Sequence, residues 1–334
     1  MRVYLDHNAT TPLRVEARDA MLAAMDVVGN PSSVHAEGRL AKGIIETARA
    51  QVAEAVGASN ADVVFTSGAT EGAALALAGC DLQAAPIEHD AVNAWINPVL
   101  DVVNGAVQVV DPAQTTLQLA NSETGILQDL PQGLAVSDIT QGFGKVPFAF
   151  SWSGVGMVFL SAHKFGGPKG VGALIFPQGT DIAAQMKGGG QEMGRRSGTE
   201  NVTAIAGMGA AAAAAQADLA AGKWDRVAKL RNILETAIEA AEKSTIFVGN
   251  GVERLPNTSC FCSPGWKGET QVMAMDLAGF AAAFCVRWVW TMKRRQVLCA
   301  CHWGSTPLRM RSCVSCRPGA KNERGARPLE RNVR

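Results

Sequence analysis

The chain has 334 residues, 47% of them hydrophobic and 18% charged, with a formal charge of +1. That length is enough for a large domain followed by a smaller one. No charged and apolar leader opens the chain and no apolar run reaches the ~18 residues of a membrane span, so a cytoplasmic protein is expected. The near-neutral total hides an asymmetry: residues 1–280 carry 19 Lys+Arg against 28 Asp+Glu, whereas 281–334 carry 12 against 2. Five of the eight cysteines and three of the seven tryptophans also fall after residue 280.

In chain order, residues 41–56 have the period of an amphipathic helix, DVVFTS from Asp62 that of a strand, and GATEGAALALAG from Gly68 a turn entering a helix. AVQVVD, TTLQLA, GMVFLSA and VGALIF predict further buried strands. An alanine-rich helix is expected over 202–221, and a second over 224–243 with Leu230, Leu234 and Ile238 on one face. Strands alternating with helices predict an α/β fold with a mostly parallel sheet.

Candidate chemistry centres on FLSAHKFGGPKGVGALIF, where Lys164 interrupts two apolar runs. A buried amine loses charge readily and is suited to a Schiff base with an aldehyde, although a lysine on a surface loop is the commoner case. Asp138 lies 26 residues upstream in AVSDITQ, followed by Gln141. A carboxylate at that strand end suits the protonated pyridine nitrogen of pyridoxal phosphate, although an ordinary strand-end or capping residue is the commoner case for an aspartate taken alone. TSGATEG places Ser67 and Thr70 at a helix N-terminus that can hold a phosphate, with Ser161 and His163 as further donors. His89, in PIEHDAV, can stack on a flat cofactor and move protons, or serve as a core histidine.

YLDHNATTP, GNPSSVH, TSGATEG, EH at 88–89, ANSETG, SDITQ, SAHKFGGPKGVGAL, GGGQEMGRRSGTENV and RLPNT occur in this order. Together they resemble the cysteine desulfurases of the class V aminotransferase branch of fold-type I pyridoxal-phosphate enzymes, most closely the nitrogen-fixation (NifS-like) type. The resemblance implies a seven-stranded, mostly parallel sheet between helices in a large cofactor-binding domain at 16–245. Residues 1–15 would pack with a smaller α/β domain that begins at 246–280. It implies conversion of L-cysteine to L-alanine, with sulfur passed through an enzyme persulfide to an iron–sulfur scaffold or other acceptor protein. By the same resemblance Lys164 holds pyridoxal 5′-phosphate and takes the substrate α-proton, Asp138 pairs with the ring nitrogen, Gln141 contacts the ring hydroxyl, and His89 stacks and shuttles protons. Thr70, Ser161 and His163 bind the phosphate, Thr199 does so from a second subunit of a homodimer, and Asn8, Ala9 and Thr10 border the substrate pocket.

The chain departs from the family pattern in three places. Ser122 stands where the family has a second cofactor-contacting asparagine, with shorter reach. The segments 77–88 and 124–138 are too short for the usual intervening helices. From 281 on, the expected mobile cysteine loop and substrate-binding arginine are replaced by bulky, basic text without a strand or helix period, which reads as a frameshifted translation and leaves the small domain incomplete. Cys285 is the cysteine nearest the expected nucleophile. Cys299, Cys301, His302, Cys313 and Cys316 also have zinc-ligand spacing, and the basic tail could hold nucleic acid, but no metal and no nucleic acid are expected. The alternatives to a desulfurase are a selenocysteine lyase or other class V enzyme, or an inactive scaffold.

Overall fold

In the computed structural model, residues 2–264, 268–285 and 298–302 are described. The chain runs through strand β1 (Val3–Tyr4), helices α1 (Val15–Met25) and α2 (Ala36–Ala55), strand β2 (Ala61–Thr66), helix α3 (Ala69–Leu77) and the single turn α4 (Asp90–Asn93). A hairpin of β3 (Val102–Val103) and β4 (Ala106–Val107) follows, then β5 (Val136–Asp138), the single turn α5 (Phe150–Ser153), β6 (Met157–Ser161) and β7 (Gly172–Pro177). Two long helices, α6 (Val202–Ala220) and α7 (Lys223–Ala241), lead into β8 (Ile246–Phe247), β9 (Thr258–Cys262), α8 (Gly268–Leu277), β10 (Phe280–Ala281), β11 (Ala283–Cys285) and β12 (Leu298–His302).

The central sheet has the order β2-β7-β6-β5. Strand β7 is antiparallel to both neighbours, while β5 and β6 are parallel. Beyond β5, single parallel bridges from Val136 to Thr116, Thr115 to Gln83 and Ala84 to Pro98 extend the line to seven rows. The α/β expectation therefore holds, with one antiparallel row inside a mostly parallel sheet.

Two expected strands shrink. In TTLQLA, Leu117 and Leu119 donate their N–H groups to Val136 and Asp138, but Gln118 donates to the Glu88 side chain rather than to a neighbouring strand. A carboxyl group thus completes the ladder, and no regular strand develops. In AVQVVD only Ala106 and Val107 pair; Val107 N–H goes to the Gln128 side chain and Val110 is exposed, so burial does not hold the segment extended.

Side chains alternate across the sheet with the two-residue period of a strand. Val158, Leu160, Ala173 and Ile175 join the core beneath α2 and α6, whereas Phe159, Leu174 and Phe176 join the one beneath α3. Helix α6 is 19 residues long and apolar enough to cross a membrane, against the sequence expectation that no such run exists. Its apolar face is instead buried within the protein: Ile205, Met208, Ala211, Ala212 and Ala215 lie in the core, packed on α1 and α2. A Cβ at Gly209 would stand 2.6 Å from Ala48 Cα, so only glycine permits this helix approach. Helix α2 starts at Ala36, earlier than its apolar period suggests, because His35 Nδ1 caps Gly38 N–H at 3.3 Å.

The second layer is built on α7, whose Trp224, Leu234 and Ile238 pack with Phe261 and Met275. They cover a four-stranded antiparallel sheet, β11-β12-β9-β8. Here the expectation of text without strands after residue 280 is corrected. Ala283–Cys285 and Leu298–His302 enter this sheet, and Phe280–Ala281 pairs in parallel with Val3–Tyr4. Ladders are made by backbone N–H and C=O groups, so an atypical composition does not preclude them. Cys313 and Cys316 lie outside the described residues.

One buried ion pair fixes the loop between β7 and α6. Glu192 takes a left-handed conformation (φ 46°), and its carboxylate accepts from Arg49 at 2.8 and 3.0 Å and from Phe65 N–H at 2.9 Å. Arg49→Ala would leave that carboxylate buried and unpaired; we expect a loss of about 3–5 kcal/mol in stability, read from urea unfolding.

Candidate active site

The C-terminal ends of β5 and β6, the N-terminus of α3 and the segment after β1 enclose a cavity of about 530 Å³. Lys164 enters it from a 3-10 turn (Ala162–Lys164) that follows β6. Its Nζ donates to Asn8 O, and its own carbonyl accepts from Thr11 Oγ1 at 3.0 Å. Burial pushes the Lys164 amine below its ordinary range, against the opposing charges of Asp138, Asp6 and Glu123.

Asp138 closes β5 and accepts from Thr140 N–H at 2.8 Å. Burial raises its carboxyl, while the Thr140 bonds and the charges of His89 and Lys164 pull it back. His89 caps α4: its Nδ1 accepts from Ala91 N–H at 3.0 Å, which fixes the ring and leaves Nε2 as the other working nitrogen. The preceding Glu88 is wholly buried; its Oε1 accepts from Gln118 N–H and burial pushes its carboxyl well up. That bond locks the His89 segment to the sheet end.

The α3 end of the cavity offers donors. Gly68 caps the helix without a side-chain bond, leaving its first N–H groups open, and Ser67, Thr70, Ser161 and His163 also line the cavity. Close packing brings this terminus to the sheet: a Cβ at Gly172 would stand 2.7 Å from Gly68 Cα, and one at Gly72 2.9 Å from Phe159 Cβ. His163 Nδ1 lies 3.1 Å from Thr10 Oγ1. Burial and the charges of Lys164 and Lys169 push His163 down to about 4, so it is a neutral ring at pH 7.

The structure thus brings Lys164, Asp138, Gln141, His89, Thr70, Ser161, His163, Ser122, Ala9 and Thr10 to one cavity. Asn8 stands behind that wall rather than in it, buried at 3% exposure. Thr199 is exposed and outside the cavity, on the loop that Glu192 anchors and that Arg196 ties to Glu71 of α3 at 2.8 Å. The Cys285 backbone stands in β11; its side chain, like those of Cys299, Cys301 and His302, lies outside the described residues. No His/Cys/Asp/Glu cluster able to hold a metal occurs among the described residues. Cys80, Cys260 and Cys262 do not line the cavity.

Sequence reasoning passed over Lys145, Glu88 and Asn257. Lys145 is buried and donates to Gln141 Oε1 at 3.2 Å and to Asn8 Oδ1 at 3.4 Å. The available signal was its position four residues after Gln141 in QGFGK, a glycine-punctuated stretch without helical period. Asn257 donates to Asn8 Oδ1 at 2.9 Å; the RLPNT motif contains it, but a contact 249 residues apart is not readable from that motif.

The class-V aminotransferase family profile matches residues 3–92 and 110–283. A cysteine desulfurase of Cereibacter sphaeroides is 36% identical over 321 residues, covering 84% of this chain and 82% of the relative. Cysteine desulfurase IscS of Dictyoglomus turgidum is 33% identical over 317 residues, covering 83% and 79%. The crystal structure of a NifS-like protein from Rickettsia africae superposes with a TM-score of 0.85 at 30% identity, over 92% of this chain and 95% of that one.

A depressed histidine makes a pH prediction whose sign follows from linkage. Below pH ~6.5 the unfolded ring takes up a proton that the folded ring refuses until about 4. His163 therefore favours the folded state fully above pH ~6.5, and this contribution declines as pH falls toward about 4. A ring titration followed by NMR should show a midpoint near 4; a midpoint above 6 would contradict the burial argument.

Proposed function

The chain belongs to the class-V aminotransferase family, whose cofactor is pyridoxal 5′-phosphate, and we propose that it is a cysteine desulfurase converting L-cysteine to L-alanine. The observation that carries this reading is a half-buried lysine, Lys164, sharing one cavity with a half-buried carboxylate, Asp138, and an uncapped helix N-terminus. These features fit the cofactor's three handles. The depressed Lys164 amine suits its aldehyde, Asp138 its pyridine nitrogen, and the α3 N-H groups with Thr70, Ser161 and neutral His163 its phosphate. Gln141, Ser122 and the His89 ring would complete its surroundings. When bound, pyridoxal phosphate supplies an electron sink for negative charge developing beside the substrate amine.

The chain's residues do the rest. The Lys164 amine takes the substrate α-proton, its depressed proton affinity keeping it neutral enough to act as a base. His89 moves protons through Nε2, since Nδ1 is committed to Ala91. Ala9 and Thr10 bound the substrate side of the cavity. A thiolate attacks the substrate sulfur: an S–S bond forms, the C–S bond breaks with its electron pair left on the β-carbon, and a proton added there, with the α-proton returned from Lys164, gives alanine. We assign that thiolate to Cys285, which supplies the persulfide for an iron–sulfur scaffold, in the manner of nitrogenase maturation.

We also infer a cytoplasmic homodimer in which Thr199 of each chain serves the other's phosphate site. Its exposed position outside its own cavity supports this, as do the exposed Leu22, Met25, Val28 and Val34. Sedimentation should give a dimer, and Thr199→Ala should weaken cofactor retention.

The deciding assay is alanine release from L-cysteine by the cofactor-loaded protein with a thiol reductant, matched by sulfide. Lys164→Ala should lower turnover by roughly 10²–10⁴-fold or more. Cys285→Ala should abolish sulfide release while keeping the cofactor spectrum. Alanine release unchanged in Cys285→Ala would move the nucleophile elsewhere. A preference for L-selenocysteine with no turnover of L-cysteine would favour the lyase reading.

A further inference from the structure

Beneath the cavity lies a second amine that the proposed chemistry does not use. Lys145 is 3% exposed and has no ion-pair partner among the described residues. A buried ammonium without a carboxylate is costly, so its surroundings are informative. Its Nζ donates to Gln141 Oε1 (3.2 Å) and Asn8 Oδ1 (3.4 Å). Gln141 Nε2 in turn donates to Asn8 O at 2.9 Å, and the same carbonyl oxygen accepts from Lys164 Nζ. Lys145, Gln141 and Asn8 form a closed circuit, and Lys164 joins it through the Asn8 carbonyl, so two amines meet at one asparagine.

We propose that Lys145 is a positioning residue for Lys164: it holds Asn8 and Gln141 in the circuit that aims the Lys164 amine into the cavity, and its charge sets how firmly a proton is kept there. Burial and then the Lys164 charge bring the Lys145 amine down to about 7. Lys164 is the charged group acting on Lys145. Around Lys164 stand Asp138 from β5, Asp6 from the N-terminal segment, Glu123 from the turn after Asn121, and the neutral His163. Repulsion between like charges is mutual, so a proton on one amine opposes a proton on the other.

The inference rests on the cofactor reading above, and its test separates the two. Pyridoxal-phosphate-loaded wild-type protein, Lys145→Met and Lys145→Arg are titrated from pH 5.5 to 9.5 by the visible absorbance of the bound cofactor, with melting temperatures measured in parallel. A fixed cation at 145 should give the lowest midpoint and an apolar side chain the highest. Wild type should lie between, the extremes differing by at least about one unit. Coincident midpoints in folded variants would overturn the proposal, because a residue that only packs would leave the titration unmoved. Lys145→Gln replaces the methionine variant should that one not fold. A wild-type protein that loads the cofactor but yields no alanine from L-cysteine would sink the desulfurase reading and leave the midpoint comparison intact.

Discussion

The cavity depends on one buried amide. Asn8 Oδ1 accepts from Lys145 and from Asn257, and Nδ2 donates to Ser122 O at 2.9 Å and Thr258 Oγ1 at 3.0 Å. Two acceptor and two donor positions are the full capacity of the side chain, so none is left to water. The partners also fix which way the amide points, because an amine cannot accept and a carbonyl oxygen cannot donate. Adding the bonds to Asn8 O, this residue ties the N-terminal segment, the Asn121 turn, the Lys164 turn and β9 to one point. Replacing any of these partners leaves a buried group unpaired, at a cost larger than the bond's own contribution.

A second constraint orders the opposite wall. Glu88 stands where a strand residue would complete the ladder beside Gln118, and Gln118 Nε2 and Asn121 Nδ2 both return to Ile87 O, at 2.8 and 3.1 Å. The 87–89 segment is thereby held on both sides, which places His89 at a fixed distance from the sheet end. Asn121 in turn binds Glu123 N–H, Thr124 N–H and Thr124 Oγ1 through its Oδ1. The Ser122 carbonyl that Asn8 reaches is therefore presented by a turn that is itself saturated. Gly125 completes it: its φ of 72° and a Cβ position 2.6 Å from Thr258 Cβ leave room for no side chain.

Local pattern made much of this legible. The two-residue alternation of Val158 to Leu160 and of Ala173 to Phe176 marks strands buried on both faces, and the halt at Ser161–Lys164 marks their shared edge. Ordered motifs then made the cavity legible: ten residues named from them line it. What remained hidden is what acts at a distance. TTLQLA has the composition of a full strand, but whether it becomes one depended on a glutamate some thirty residues upstream taking its N–H. Lys145 reads like any lysine after a glycine until Asn8 folds over it. The strands after residue 280 were hidden for the opposite reason, since pairing with β9 uses backbone groups that leave no compositional mark.

These dependencies divide the chain by chemistry. Every residue proposed to hold the cofactor lies between 67 and 199, and the amide that organises them reaches forward only to Asn257 and Thr258. The proposed sulfur-accepting step asks for a thiol that Cys80, Cys260 and Cys262 do not bring to the cavity. On the proposed reading, cofactor capture and sulfur transfer would be built on separate stretches of sequence, joined where Val3–Tyr4 pairs with Phe280–Ala281 and Asn8 docks on β9. A change confined to the later stretch would act on the sulfur step first. The Lys164 site would feel it only through strain carried along that seam.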